Sequence, residues 1–259
     1  MVTFDEAQIM AWLTPLFWPF LRVLAVFSVA PVLSSRVFPV RARIGLSFLV
    51  ALAAQPTLAD QPTLSLNHPA ALGWVVQQVG VGLALGFAIR LVFASIELAG
   101  ELVGLQMGLN FASFFDPTSN TQGSAVARFF NHTTVLLFVV LNGHLLVLAA
   151  VVRSFELFPL GPNFMVSLSK IKLLGLGAEL FATALWVALP LIGLLLLVNL
   201  TLGFVSRVAP QINIFAVGFP VTLWVGLIGV AAILPSLDLP LATLMNQALA
   251  VFAPMEPAR

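Results

Sequence analysis

In a chain that is 60% hydrophobic and 8% charged, the ionisable side chains inside apolar runs are the ones that could do chemistry. Arg90, Glu97 and Glu101 lie in one such run, interleaved with Gly82, Gly86, Gly100, Gly104 and Gly108. An ionised group in hydrocarbon costs at least about 2.5 to 3.5 kcal/mol on insertion scales, so it is normally paired, neutralised or turned toward protein or water. Two carboxylates four residues apart on a helix also repel. The trio therefore suits an ion or proton site, or a surface that meets polar groups of a partner. Just beyond it, Phe111, Phe114 and Phe115 precede Asp116 and Pro117, a strong helix-ending signal. Bulky apolar side chains beside a polar turn can pack in a core, anchor at an interface, or close an aqueous path by dewetting.

Other chemistry is sparse. Cysteine is absent, which removes disulfides, thiolate catalysis and cysteine-based metal sites. His132 and His144 are separated by about 120° around a helix and cannot form a metal pair on one face. No HExxH, Walker or GxSxG pattern occurs, and GVGLALG at 80–86 misses the dinucleotide spacing. The expectation is a protein that is not an enzyme, with no catalytic residues, no metal and no cofactor. A net charge of +1 with no dense basic cluster gives no reason to expect a nucleic-acid partner.

The elements that position these residues are membrane helices. A mean hydropathy of +1.08 marks a multi-pass membrane protein, and a span needs about 20 mostly apolar residues. Apolar runs between charges give six candidates, at 9–33, 44–59, 70–94, 129–152, 180–206 and 211–235. The second is short, and a seventh piece at 239–253 is shorter than a full crossing. Asp5 and Glu6 precede the first basic residue, Arg22, so the first apolar segment is expected to be retained with its N-terminus outside the cytoplasm. The fold class is all-α: helical hairpins and long kinked helices, built to pack in a multisubunit helical assembly.

Residues 73–110 read as one helix without an internal proline, about 57 Å long against a hydrocarbon core of about 30 Å. At 100° per residue, Gly82, Gly86, Arg90, Glu97, Gly100, Glu101, Gly104 and Gly108 fall within an arc of about 100°. Small residues at this spacing let another helix approach closely. The stripe is expected to be buried against polar groups of an assembly, with Arg90, Glu97, Glu101, Gly100, Gly104 and Gly108 as subunit contacts. Arg128, Asn131 and Asn142 share a face of the 129–152 run and read as buried packing polars. Residues 173–235 form a second hairpin with Pro190 and Pro220 placed to kink its arms. Its tip carries Arg207, Pro210, Gln211, Asn213 and Phe215, where Gln211 and Asn213 can satisfy backbone groups.

Three stretches, GLQMGLNFASFFDP at 104–117, LNGHLLVL at 141–148 and RVAPQINIFAVGFPVTL at 207–223, resemble the FliR family of flagellar export-gate proteins and its type III secretion counterpart SctT. The resemblance runs in order along essentially the whole chain. It implies a subunit of the flagellar export gate in the bacterial inner membrane, within the basal body, assembled with FliP and FliQ and partnered by FlhB and FlhA. It also implies a FliP-like part at 1–165, a FliQ-like hairpin at 166–259, passage of unfolded exported proteins, and a pore plug built from Phe111 and Phe114 with Phe115, Asp116 and Pro117. The alternative is a solitary small-solute transporter using Arg90, Glu97 and Glu101 as an ion or proton site.

Overall fold

The structure, a computed structural model, describes residues 6–35, 37–58, 68–109, 123–159, 173–211 and 213–252. Among them the regular elements are helical: α1 (Glu6–Val29), α2 (Val40–Ala54), α3 (Ala71–Gln106), α4 (Ala125–Val140), α5 (Gly143–Leu157), α6 (Leu173–Val208), α7 (Ile214–Ile233) and α8 (Asp238–Ala250), with short 3-10 turns at Gln55–Leu58 and Leu234–Ser236. The protein is an all-α membrane protein. Among the described residues three helical stretches are by themselves long and apolar enough to cross a bilayer: Ala71–Gln106, Gly175–Val208 and Ala216–Ser236.

Local signals set the helix limits. Pro39, at φ −60°, leads into α2, which is 15 residues long and too short for a full crossing. The apolar run at 129–152, expected as one span, is instead two helices of 16 and 15 residues. Asn142 breaks it by taking a left-handed backbone (φ 55°), a conformation that Asn tolerates better than most residues because its short polar side chain can bond locally. The helix expected at 73–110 occupies Ala71–Gln106, about 54 Å at 1.5 Å per residue. It stops in a Schellman turn: Gly108 has φ 79°, its N–H donates to Leu105 O at 3.1 Å, and the N–H of Leu109 donates to Gly104 O at 3.1 Å.

The chain divides into two compact units. The first comprises residues 1–91, 142–176 and 245–259, and so holds α1, α2, α3 up to Leu91, and α5. Its core includes Trp18, Val26, Phe27, Leu85, Ile89, Phe155 and Phe252, with Trp18 and Trp74 meeting edge to face at 5.5 Å. Gly82 and Gly86 lie against α1. A Cβ on Gly82 would sit 2.5 Å from Arg22 O, so only glycine allows this approach.

The second unit comprises residues 92–141 and 177–244. Its core joins the far half of α3 (Ile96, Ala99, Val103, then Met107) to Phe130 on α4, to Ala184, Ala188, Leu191 and Leu195 on α6, and to Val230 on α7. The small residues on α6 bring helices close where lipid offers no hydrophobic drive of its own.

Candidate functional site

The glycine and carboxylate stripe of α3 meets α4 in the second unit. A Cβ on Gly100 would lie 2.8 Å from Ala127 Cα and 3.1 Å from Phe130 Cβ; one on Gly104 would lie 2.5 Å from Ser124 Oγ. These two glycines are what let the two helices touch. The carboxylates beside them take donors from the same helix: Asn131 Nδ2 donates to Glu97 Oε2 at 2.7 Å, and the backbone N–H of Ser124 donates to Glu101 Oε2 at 2.7 Å. Both Glu97 and Glu101 are half-buried.

Ser124 begins α4. Its hydroxyl oxygen accepts the N–H of Ala127 at 3.1 Å, the usual N-cap bond. In a capping box the residue three positions on would reach back to the cap's own N–H. That residue here is Ala127, which has no side chain to do so, and Glu101 of α3 supplies the acceptor. A carboxylate at this end of a helix also faces the positive pole of the helix dipole.

One turn of α3 thus bonds the chain at Leu109 and again at Ser124. Gly104 accepts the N–H of Leu109 through its carbonyl and touches Ser124 with its bare Cα. On either side of the segment the chain turns through a glycine with positive φ, Gly108 at 79° and Gly123 at 81°. From the other side, Thr222 Oγ1 donates to Met107 O at 3.4 Å and to Phe219 O at 3.1 Å, while Gly226 makes room for the Met107 side chain.

The residues singled out in the sequence therefore separate. Glu97, Gly100, Glu101 and Gly104 of α3 pack together against α4 and its cap in this chain, Gly108 ends α3, and Arg90 is exposed. Arg128 and Asn142, expected to be buried, are exposed; Asn131 is the member of that trio that finds a partner inside. At the second hairpin Arg207, Pro210, Gln211 and Asn213 are exposed, and Phe215 lies in the first turn of α7. Asn213 starts that helix, its carbonyl accepting from Ala216 at 3.1 Å and Val217 at 3.2 Å. Phe111, Phe114, Phe115, Asp116 and Pro117 lie outside the described residues.

One polar cluster escaped the sequence reading. Arg22 is fully buried in the first unit, where Nε donates to Gln78 Oε1 (2.8 Å), one terminal nitrogen to Ser154 Oγ (3.0 Å) and the other to Phe158 O (2.7 Å), with the Phe155 ring 3.7 Å away. Gln77 Nε2 donates to Pro159 O at 3.1 Å beside it. The guanidinium thus sits at the C-terminal end of α5, where the helix dipole favours a cation. Its signal was available: an arginine inside an otherwise apolar run needs an internal partner.

Among the described residues no group of three His, Asp or Glu could hold a metal ion. A groove of about 640 Å³ between α6, α7 and the start of α8 is lined by Trp186, Pro190, Leu194, Gly229, Ile233 and Pro240 among others, an apolar wall with Ser236 as its polar member. It can hold an apolar group but offers no reacting side chain.

Residues 13–248 match the bacterial export proteins, family 1. The chain is 43% identical over 235 residues to the flagellar biosynthetic protein FliR of Pectobacterium carotovorum subsp. carotovorum, covering 91% of this chain and 90% of that protein. It is 43% identical over 237 residues to FliR of Escherichia coli K12, with 91% and 90% covered. FliR of Aquifex aeolicus is 28% identical over 248 residues, 96% of each chain.

Proposed function

The chain belongs to the FliR family of bacterial export proteins, and from that membership we propose that it forms part of the flagellar protein-conducting channel together with FliP and FliQ. It is a membrane protein of the flagellar export apparatus and works with the other proteins of that apparatus. In the proposed arrangement residues 1–165 supply a FliP-like part and 166–259 a FliQ-like hairpin. FlhB and FlhA are further partners, and the transported chains are unfolded exported proteins. Phe111 and Phe114, with Phe115, Asp116 and Pro117, plug the pore by dewetting it.

The observation that carries this reading is the outward face of the second hairpin. In the most apolar 18-residue stretches of the spans in α6 and α7, only 28% and 22% of the residues are buried within the chain. Phe204, Val208, Val217, Phe219 and Trp224 are all exposed. Between them residues 209–211 and 213 lie outside the helices with an exposed Arg207 alongside, which lipid does not accommodate and a neighbouring protein or water does. An apolar hairpin with a polar tip fits lateral packing against similar hairpins.

The test is co-purification. Expressed with FliP and FliQ, the tagged chain is expected to yield a complex of fixed stoichiometry, and expressed alone to aggregate. A monodisperse, stable single chain that transports a small solute would contradict the proposal.

A further inference from the structure

We propose that the exposed face of α2 seats an anionic phospholipid, with its phosphate on Arg41 and an acyl chain laid along Gly45, Phe48 and Leu52. Charge is the first observation. Between Glu6 and Asp60 the chain has four arginines, Arg22, Arg36, Arg41 and Arg43, and no acid. Arg22 is bound inside the first unit, and Arg43 turns back to donate from Nε to Leu33 O at 3.0 Å. Arg41 is exposed, and among the described residues it has no hydrogen-bond or ion-pair partner. Nor does it serve its own helix, since a cation in the first turn faces the positive end of the dipole. A guanidinium so placed is answered by an anion from outside the chain.

The surface along the helix from Arg41 supplies the rest. At 100° per residue, Arg41, Gly45, Phe48 and Leu52 fall within about 60° of one another, with Leu49 beside them. Phe48, Leu49 and Leu52 are 44%, 60% and 45% exposed. The buried residues of α2 are the small Ser47, Ala51 and Ala54, on another side of a helix that packs along α1. A Cβ at Gly45 would meet nothing within 4 Å, so the glycine leaves a notch between the guanidinium and the larger side chains beyond it. From Arg41 to Leu52 the helix rises about 16 Å, close to the about 15 Å of hydrocarbon in one leaflet. The stripe therefore has the length of one acyl chain, with a cation at the level of the headgroup. A net anionic headgroup is favoured over a zwitterionic one, because α2 offers no carboxylate to receive an ammonium.

The experiment uses the full chain in the complex that co-purifies with it, reconstituted in nanodiscs of phosphatidylcholine doped with phosphatidylglycerol that carries a diazirine on its acyl chain. After illumination, peptide mass spectrometry locates the labelled residues. Labelling is expected on residues 44–52, to be competed by unlabelled phosphatidylglycerol and to persist in excess phosphatidylcholine or inorganic phosphate. Arg41→Gln should lower it about fivefold, the effect of removing one basic side chain at an anionic surface. Arg41→Lys should keep most of it, since a phosphate also accepts a point charge. Gly45→Leu, which fills the notch and leaves Arg41 in place, should lower it as well. Arg41 has no partner in the described chain to lose, so Arg41→Gln should assemble normally.

Equal labelling by a phosphatidylcholine probe with the same acyl chain would show contact with bulk lipid only and overturn the inference. So would labelling that Arg41→Gln and Gly45→Leu leave unchanged, or that inorganic phosphate removes. Absence of label on α2 would mean that a neighbouring subunit covers this face; the inference then falls while the channel reading stands. The identity of the co-purifying subunits decides the channel reading separately.

Discussion

Glu101 on α3 accepts the backbone N–H of Ser124 at 2.7 Å and so completes the cap of a helix to which it does not belong. With Gly104 packed under the same serine, the α3 and α4 pair is held by contacts that leave no spare volume. Replacing Gly104 with valine is therefore expected to force Ser124 away and to destabilise the protein by about 1 to 3 kcal/mol, the usual cost of overpacking. Thermal unfolding in detergent, followed by helical circular dichroism, measures this; an unchanged midpoint would show that Ser124 can move freely.

Arg22 ties α1 to α3 and to the end of α5 through three donated hydrogen bonds in a fully buried site. Arg22→Met keeps the length and removes the donors, leaving Gln78 Oε1 and Phe158 O without them. Each stranded buried acceptor costs about 1 to 3 kcal/mol, less whatever is recovered by no longer burying a charge. The expected outcome is a net loss of about 2 kcal/mol, and Arg22→Lys should restore little of it because one ammonium cannot reproduce the planar spread of the guanidinium. Denaturation midpoints of the three proteins decide the matter.

Among the described residues, two other than glycine have positive φ, Val32 at 71° and Asn142 at 55°. A β-branched side chain resists that region, whereas asparagine accepts it. Val32→Gly is expected to stabilise by up to about 1 kcal/mol, the strain relieved exceeding the chain entropy that glycine adds. Asn142→Gly should be nearly neutral, and Asn142→Val should cost about 1 to 2 kcal/mol. Melting temperatures of these three variants should fall in that order.

Much of this was legible in the residues. Hydropathy marked the long spans because a helix crossing a bilayer must be apolar for about 20 residues, and α3, α6 and α7 obey that rule. The 100° periodicity also found the surface of α3 that meets other groups. It could not say whose groups: close approach at Gly100 and Gly104 looks the same in sequence whether the neighbour is a sister subunit or this chain's own α4. The Glu101 bond was hidden because Ser124 lacks an acid at its third following position, and the substitute lies 23 residues away. The break at Asn142 was hidden for a different reason, since hydropathy continues across it while the backbone does not.

The central claim is that the phenylalanines at 111 and 114 seal the channel, and ion conductance of the FliP–FliQ–FliR-type assembly in planar bilayers tests it most directly. The unaltered assembly should be closed to small ions, and the Phe111→Ala/Phe114→Ala assembly, with matched subunit composition and thermal stability, should conduct. Equal, negligible conductance of the two would contradict the account.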